Sequence, residues 1–259
     1  MLIVLIDVLF DPFMSDWNEV RDGALAAEQA GVAGVWINDH LAGSVQGASR
    51  VLECWTTLTA IAATVPRITV GSLVLNVANR DAGTLAVMAA TLQEVSGGRL
   101  LLGLGAGAGR DTPYAAEQLA FGRPVLGSEG RRRCVEDAVT RLRAVWSGAF
   151  GGAAGFLRPQ PPPSIIIAGS GPKMAALAGR VGDGMNAPAG PRLCELIEIA
   201  RNAHAQSGRD PGDFVVTAST GPSPRDHERL AALGVTRAIV YLRPPYLDGV
   251  ARVGAASQG

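Results

Sequence analysis

Residues 68–104 read ITVGSLVLNVANRDAGTLAVMAATLQEVSGGRLLLGL. Two short apolar runs, 68–75 and 99–104, flank a longer stretch in which Leu85, Met88, Leu92 and Val95 recur at helical spacing. Gly97 and Gly98 close that stretch, so the segment predicts a strand, a helix and a second strand. Both strands are apolar throughout instead of alternating, which is the pattern of a parallel sheet covered on both faces.

The same unit recurs on either side. Residues 2–8 form an apolar run, and Asp16 with Glu19 then supplies a capping-box start to a helix bearing Trp17, Val20, Ala24 and Ala27, stopped by Gly31. Strand 33–38 leads to a helix carrying Trp55, Leu58, Ile61 and Ala62, which ends before Pro66. Downstream, Ser128 reads as the cap of a helix with Val135, Ala138, Leu142 and Val145. A Gly/Pro-rich connector, 148–163, leads into strand 164–168, and Pro172 suits the first turn of the next helix. Strands 184–187 and 214–218 flank a helix with Leu193, Leu196, Ile197 and Ala200, and a short helix to Leu233 precedes strand 236–242. The segment 243–259 reads as a weakly specified last helix. Eight such units without a break predict one α/β domain over residues 1–259, a (β/α)8 TIM barrel, with an open doubly wound sheet as the alternative.

Composition narrows the function classes. The 259 residues are 47% hydrophobic and 18% charged, with 23 basic and 23 acidic side chains, so no positive field is present to hold nucleic acid or an anionic membrane. No stretch approaches the roughly 20 apolar residues of a membrane span, and the first apolar run lacks the basic flank of a signal peptide. Cys54, Cys134 and Cys194 lie far apart on predicted helices, a poor disulfide framework. These features together predict a reduced, cytoplasmic protein.

In such a barrel, chemistry sits at the C-terminal ends of the strands. Those ends are read as Asp7; Asn38, Asp39 and His40; Leu75 and Asn76; Gly105, Ala106 and Gly107; Gly169, Ser170 and Gly171; Asn186; Ser219; and Tyr241 with Arg243. GLGAGAG, 103–109, fits a dinucleotide fingerprint through Gly103, Gly105 and Ala108, but no helix follows at once, and glycines that let a turn leave the rim explain it equally well. In AGSGPKM, 168–174, Gly169 and Gly171 let backbone N–H groups converge at a helix start, where Ser170 and Lys173 could assist an anion; an ordinary strand-to-helix turn is the other reading. His40, His204 and His227 are scattered, so no metal site is expected. His204 and His227 fall in polar stretches and are expected at the surface, whereas His40 lies at the rim beside Asp39, placed either for proton transfer or as part of a simple loop turn.

Five stretches in order, AAEQAGVAGVWINDHL (26–41), LECWTTLTAIAATVPRITVGSLVLN (52–76), MAATLQEVSGGRLLLGLGAG (88–107), RLRAVWSG (141–148) and PPPSIIIAGSGPKMAALAGRVGDGMN (161–186), resemble the luciferase-like monooxygenase family, and particularly its branch of oxidoreductases using the deazaflavin coenzyme F420. The resemblance implies a bacterial-luciferase-like barrel, with Ala106, Gly107, Gly169, Ser170 and Gly171 at the cofactor phosphate. It implies that the Asp39 backbone meets the deazaflavin ring, that His40 is catalytic, and that a cis peptide links Leu73 to Val74 behind the ring. Hydride transfer at C5 of the deazaflavin, to or from a small organic substrate, is the implied reaction, with a homodimer as the implied assembly.

The loop from Gly109 to Gly127 is long enough to serve as a lid, with a plain surface excursion as the alternative. Ala108 stands where some deazaflavin enzymes carry an acid, so no second proton-handling group is assigned there, and the match fades beyond Asn186. One alternative keeps the family but takes FMN as cofactor, as a monooxygenase fed by a partner reductase. A second is a non-catalytic flavin-binding relative.

Overall fold

A computed structural model describes residues 4–257, and within them every strand is parallel to its neighbours. The elements run β1 (Leu5–Phe10), α1 (Trp17–Gln29), β2 (Gly34–Ile37), α2 (Cys54–Thr64), β3 (Thr69–Ser72), β4 (Leu75–Asn76), α3 (Ala82–Val95), β5 (Leu100–Gly105), α4 (Ala115–Ala120) and α5 (Ser128–Ser147). They continue with β6 (Ser164–Ala168), α6 (Pro172–Val181), β7 (Gly184–Pro188), α7 (Leu193–Gln206), β8 (Val215–Thr220), α8 (Pro224–Ala232), β9 (Arg237–Leu242) and α9 (Tyr246–Ser257). The sheet order is β3-β2-β1-β9-β8-β7-β6-β5-β4, and pairing of Val70 with Leu100 joins β3 to β5 and closes the barrel. β3 and β4 are two halves of one strand, so eight strand positions surround the axis. The start of the first apolar run, Leu2 and Ile3, lies outside the described residues.

Local chemistry accounts for the helix ends. Asp16 accepts from the Glu19 N–H while Glu19 reaches back to the Asp16 N–H, the reciprocal capping box expected there. Pro172 occupies the first turn of α6, where its missing N–H costs no hydrogen bond. Ser128 is not a cap: Gly127 holds that place and α5 begins with no side-chain hydrogen bond. The final helix, read as weak, is formed through Ser257, with Tyr246, Val250 and Val253 buried on one face at helical spacing. Tyr246 stacks on Phe10 with ring centroids 4.2 Å apart, and its hydroxyl donates to the Asp11 carbonyl.

Most of the core lies between the sheet and the helix ring, and a smaller cluster of Leu9, Trp36, Leu73, Ile166 and Ile239 fills the barrel interior. Below that cluster sits a polar layer. The Asp7 carboxylate is fully buried; it accepts from Arg237 at 2.7 and 2.9 Å and from the Trp36 indole N–H at 2.8 Å. Asp7 therefore belongs to the barrel interior and not to the rim, because β1 continues to Phe10 and the first rim acid is Asp11.

The third strand is broken at a cis peptide between Leu73 and Val74, and β5 is built to receive the break. A Cβ at Gly103 would lie 1.8 Å from the Ser72 carbonyl oxygen, and one at Gly105 would lie 2.4 Å from Val74 Cγ2. The glycines at 103 and 105 thus answer to the neighbouring strand, since no side chain fits between the two backbones.

Candidate active site

At the C-terminal end of the barrel a cavity of about 540 Å3 opens where β5, β6, α5 and α6 converge. Leu73 and Val74 form one wall, Gly105, Ala106 and Gly107 a second, and Gly169, Ser170 and Gly171 a third. Two helices begin here, α5 after Gly127 and α6 after Gly171, and neither has a side-chain cap, so their first N–H groups and their dipoles are left for an anion. The two glycine-rich loops, separate in sequence, face one space.

Arg131 and Arg132 also line this cavity and were not picked out by motif reading, although the run Arg131–Arg133 just inside α5 was a visible signal. Arg131 donates to the Gly107 carbonyl at 2.6 Å, and its Nε is buried without a partner. An unmet guanidinium N–H on a residue that lines the cavity fits an oxyanion such as a phosphate. Lys173 points elsewhere, into the groove between α5 and α6.

Asp39 is held in a different way from its neighbour. Its buried carboxylate takes both arms of Arg80 at 2.7 and 2.8 Å and the Asn76 N–H at 2.9 Å. Arg80 also reaches Glu53 at 2.5 Å, and Glu53 caps α2 through the Trp55 and Thr56 N–H groups. The Asp39 side chain is therefore a fastener between the ends of β2 and β4, which leaves only its backbone for a ligand.

His40 follows directly. Its ring lies between Phe13 and Tyr114, with centroids 4.9 and 5.3 Å away. Its Nδ1 faces the Glu117 carboxylate at 3.3–3.4 Å, and Glu117 also accepts from the Leu41 and Ala42 N–H groups at 3.0 Å each. An ionised carboxylate can only accept, so the Nδ1 proton is assigned to this contact and Nε2 is left for exchange with a ligand. The stretch 110–127 is not a bare loop: it carries α4, from which Glu117 reaches the rim and Gln118 accepts from Asn76 at 3.3 Å. Leu119, Phe121 and Leu126 of the same stretch remain exposed. Position 108 holds no acid, yet the structure supplies one from nine residues further on.

Burial alone would raise the Glu117 carboxyl, but hydrogen bonds from His40, Ala42 and Leu41 hold it below its ordinary value of 4.5. The folded state thus binds this proton less readily than the unfolded chain does. The stabilisation is complete above pH 4.5 and is lost as pH falls below it. Denaturant midpoints measured across this window should fall more steeply for the wild type than for Glu117→Gln; parallel curves would show that this carboxylate does not tie down the rim.

The other two histidines are buried, against expectation. His204 has Nδ1 at 3.3 Å from the Gly179 carbonyl and Nε2 at 3.1 Å from that of Asp210, and His227 places Nε2 3.1 Å from the Gly221 carbonyl. Both hold turns in place away from the rim cavity. Among the described residues no group of three or more His, Cys, Asp or Glu is placed to hold a metal ion, and no helix is long and apolar enough to cross a membrane. Cys54, Cys134 and Cys194 are all unpaired thiols on helices.

The family model for luciferase-like monooxygenases matches residues 10–253. The chain belongs to this family. The match runs well past Asn186, where motif reading lost it. Among the relatives, a 5,10-methylenetetrahydromethanopterin reductase of Methanolobus tindarius is 32% identical over 208 residues, covering 75% of this chain and 58% of that protein. An F420-dependent hydroxymycolic acid dehydrogenase of Mycobacterium tuberculosis is 32% identical over 200 residues, covering 73% and 54%. The chain thus spans a little over half the length of these curated relatives. Among solved structures, an F420-dependent secondary alcohol dehydrogenase in complex with an F420-acetone adduct superposes with a TM-score of 0.84 at 16% identity, covering 98% of both chains. That likeness is one of fold, the closed barrel described above.

Proposed function

We propose that this protein is a coenzyme F420-dependent oxidoreductase that exchanges a hydride with a small organic substrate, with His40 handling the accompanying proton. The observation that carries the reading is the single cavity walled by Leu73 and Val74, by both glycine-rich loops and by Arg131 and Arg132. The F420-dependent hydroxymycolic acid dehydrogenase among its relatives supports it.

A bound deazaflavin supplies the carbon that gives or takes the hydride, so the chain needs no redox group of its own. The chain's task is placement. Arg131, Arg132 and the two uncapped helix starts would hold the phosphate, Ala106, Gly107, Gly169, Ser170 and Gly171 would let backbone approach it, and Leu73 and Val74 would form the wall behind the ring. The Asp39 backbone would border the ring system, and its side chain ties the end of β2 to Asn76 and Arg80. Glu117 fixes the His40 tautomer so that Nε2 gives or takes a proton at the substrate, between the aromatic walls of Phe13 and Tyr114. Stretch 110–127 shields this end of the barrel from water. A homodimer in the cytoplasm is part of the same reading.

Titration of the apo-protein with each cofactor, followed by fluorescence, tests the assignment. Binding of F420 at least about tenfold tighter than FMN is expected, a gap of about 1.4 kcal/mol. The reverse order would replace this reading with an FMN-dependent monooxygenase.

A further inference from the structure

A groove of about 330 Å3 runs between α5 and α6, lined by Arg132, Arg133, Lys173 and Arg180 together with Glu129 and Glu136. Arg132 lines the rim cavity as well, so the two hollows share a wall. Glu129 is taken by Arg133 at 3.0 Å and Glu136 by Arg180 at 2.9 Å. Arg132 and Lys173 are then left without a carboxylate partner among the described residues. The two acid–arginine pairs are exposed on both sides and exchange partners readily.

A phosphate in the rim cavity is already met by Arg131, two helix starts and two glycine-rich loops. The cations beyond it exceed what one phosphate requires, and Arg132 joins their groove to the cavity. A chain with balanced charge overall has gathered four basic groups against two acids in this one groove.

We propose that the α5–α6 groove binds the carboxylate-bearing glutamyl tail that coenzyme F420 carries beyond its phosphate. The inference rests on the F420 reading above. FMN ends at its phosphate and has nothing to place there, so the groove also selects between the two cofactors. Lys173 and Arg132 provide the free charges, and Arg133 and Arg180 turn from their surface acids to the tail.

The test compares two ligands on the intact protein: a tail-free F420 precursor ending at the phospholactyl group, and F420 bearing several glutamates. At low salt the long form should bind about tenfold tighter, the effect of a few exposed charge pairs, and the gap should close at high salt. Lys173→Gln combined with Arg180→Gln should shrink the gap to about twofold or less while leaving tail-free affinity unchanged, since neither residue lines the rim cavity. Equal affinities for the two forms on the wild-type protein overturn the proposal without touching the F420 reading. A gap that survives in the double variant does the same. If neither form binds, the F420 reading falls and this inference falls with it.

Discussion

Replacing His40 by alanine should lower turnover by about 10²- to 10⁴-fold, the usual worth of a positioned acid or base, while cofactor affinity should stay nearly unchanged. The separation follows from geometry. The cavity is built from Leu73 and Val74, the ends of β5 and β6 and the starts of α5 and α6, whereas His40 follows the end of β2 and faces Glu117. On the proposed function, loss of the imidazole would therefore remove the proton carrier and leave the anchor intact. Glu117→Gln should cost less, about tenfold, because Phe13 and Tyr114 still flank the ring when the carboxylate is gone. Steady-state rates with an accepted substrate, beside cofactor titrations of the same proteins, check both statements. Unchanged rates in His40→Ala with cofactor bound would remove this histidine from the mechanism. Failure of the wild-type protein to reduce or oxidise any compound would favour a binding protein without turnover.

The largest expected loss of stability is at the opposite end of the barrel. Asp7→Ala should destabilise the fold by about 3–5 kcal/mol, because it leaves the Arg237 guanidinium, whose side chain is only 11% exposed, with its partner missing. Burial pushes the Asp7 carboxyl up, against the lowering effect of Arg237 and the Trp36 indole, which marks the site as one where an isolated charge is costly. The double variant Asp7→Ala with Arg237→Met should recover much of the loss, since removing both charges avoids the unpaired one. Urea denaturation of the three proteins measures this directly. A single variant within about 1 kcal/mol of wild type would mean that water or a neighbouring group replaces the carboxylate.

The barrel could be read from the chain because its strands are uninterrupted apolar runs and its helices show a one-sided apolar face, both properties of short windows. The capping box at Asp16 and Glu19 and the proline at the start of α6 were legible for the same reason. Asp7 was misread as a strand end because a carboxylate inside an apolar run is tolerable only with a partner, and that partner is 230 positions away. His204 and His227 were misread because their surroundings in sequence are polar, while their burial depends on which helix face meets the sheet. Glu117 carries no local mark at all; its meaning comes from a contact 77 positions back. The last helix was underestimated although Tyr246, Val250 and Val253 carried its pattern, diluted by intervening glycine and charge.

The close passage of β5 across the broken strand has a consequence for how this sequence can change. A side chain acquired at 103 or 105 collides with Ser72 or Val74, and Val74 is also part of the cavity wall. Neither strand can drift alone. Libraries that randomise one of them in isolation should return little but the parental residues, and viable novelty here would have to arrive as paired replacements on both strands at once.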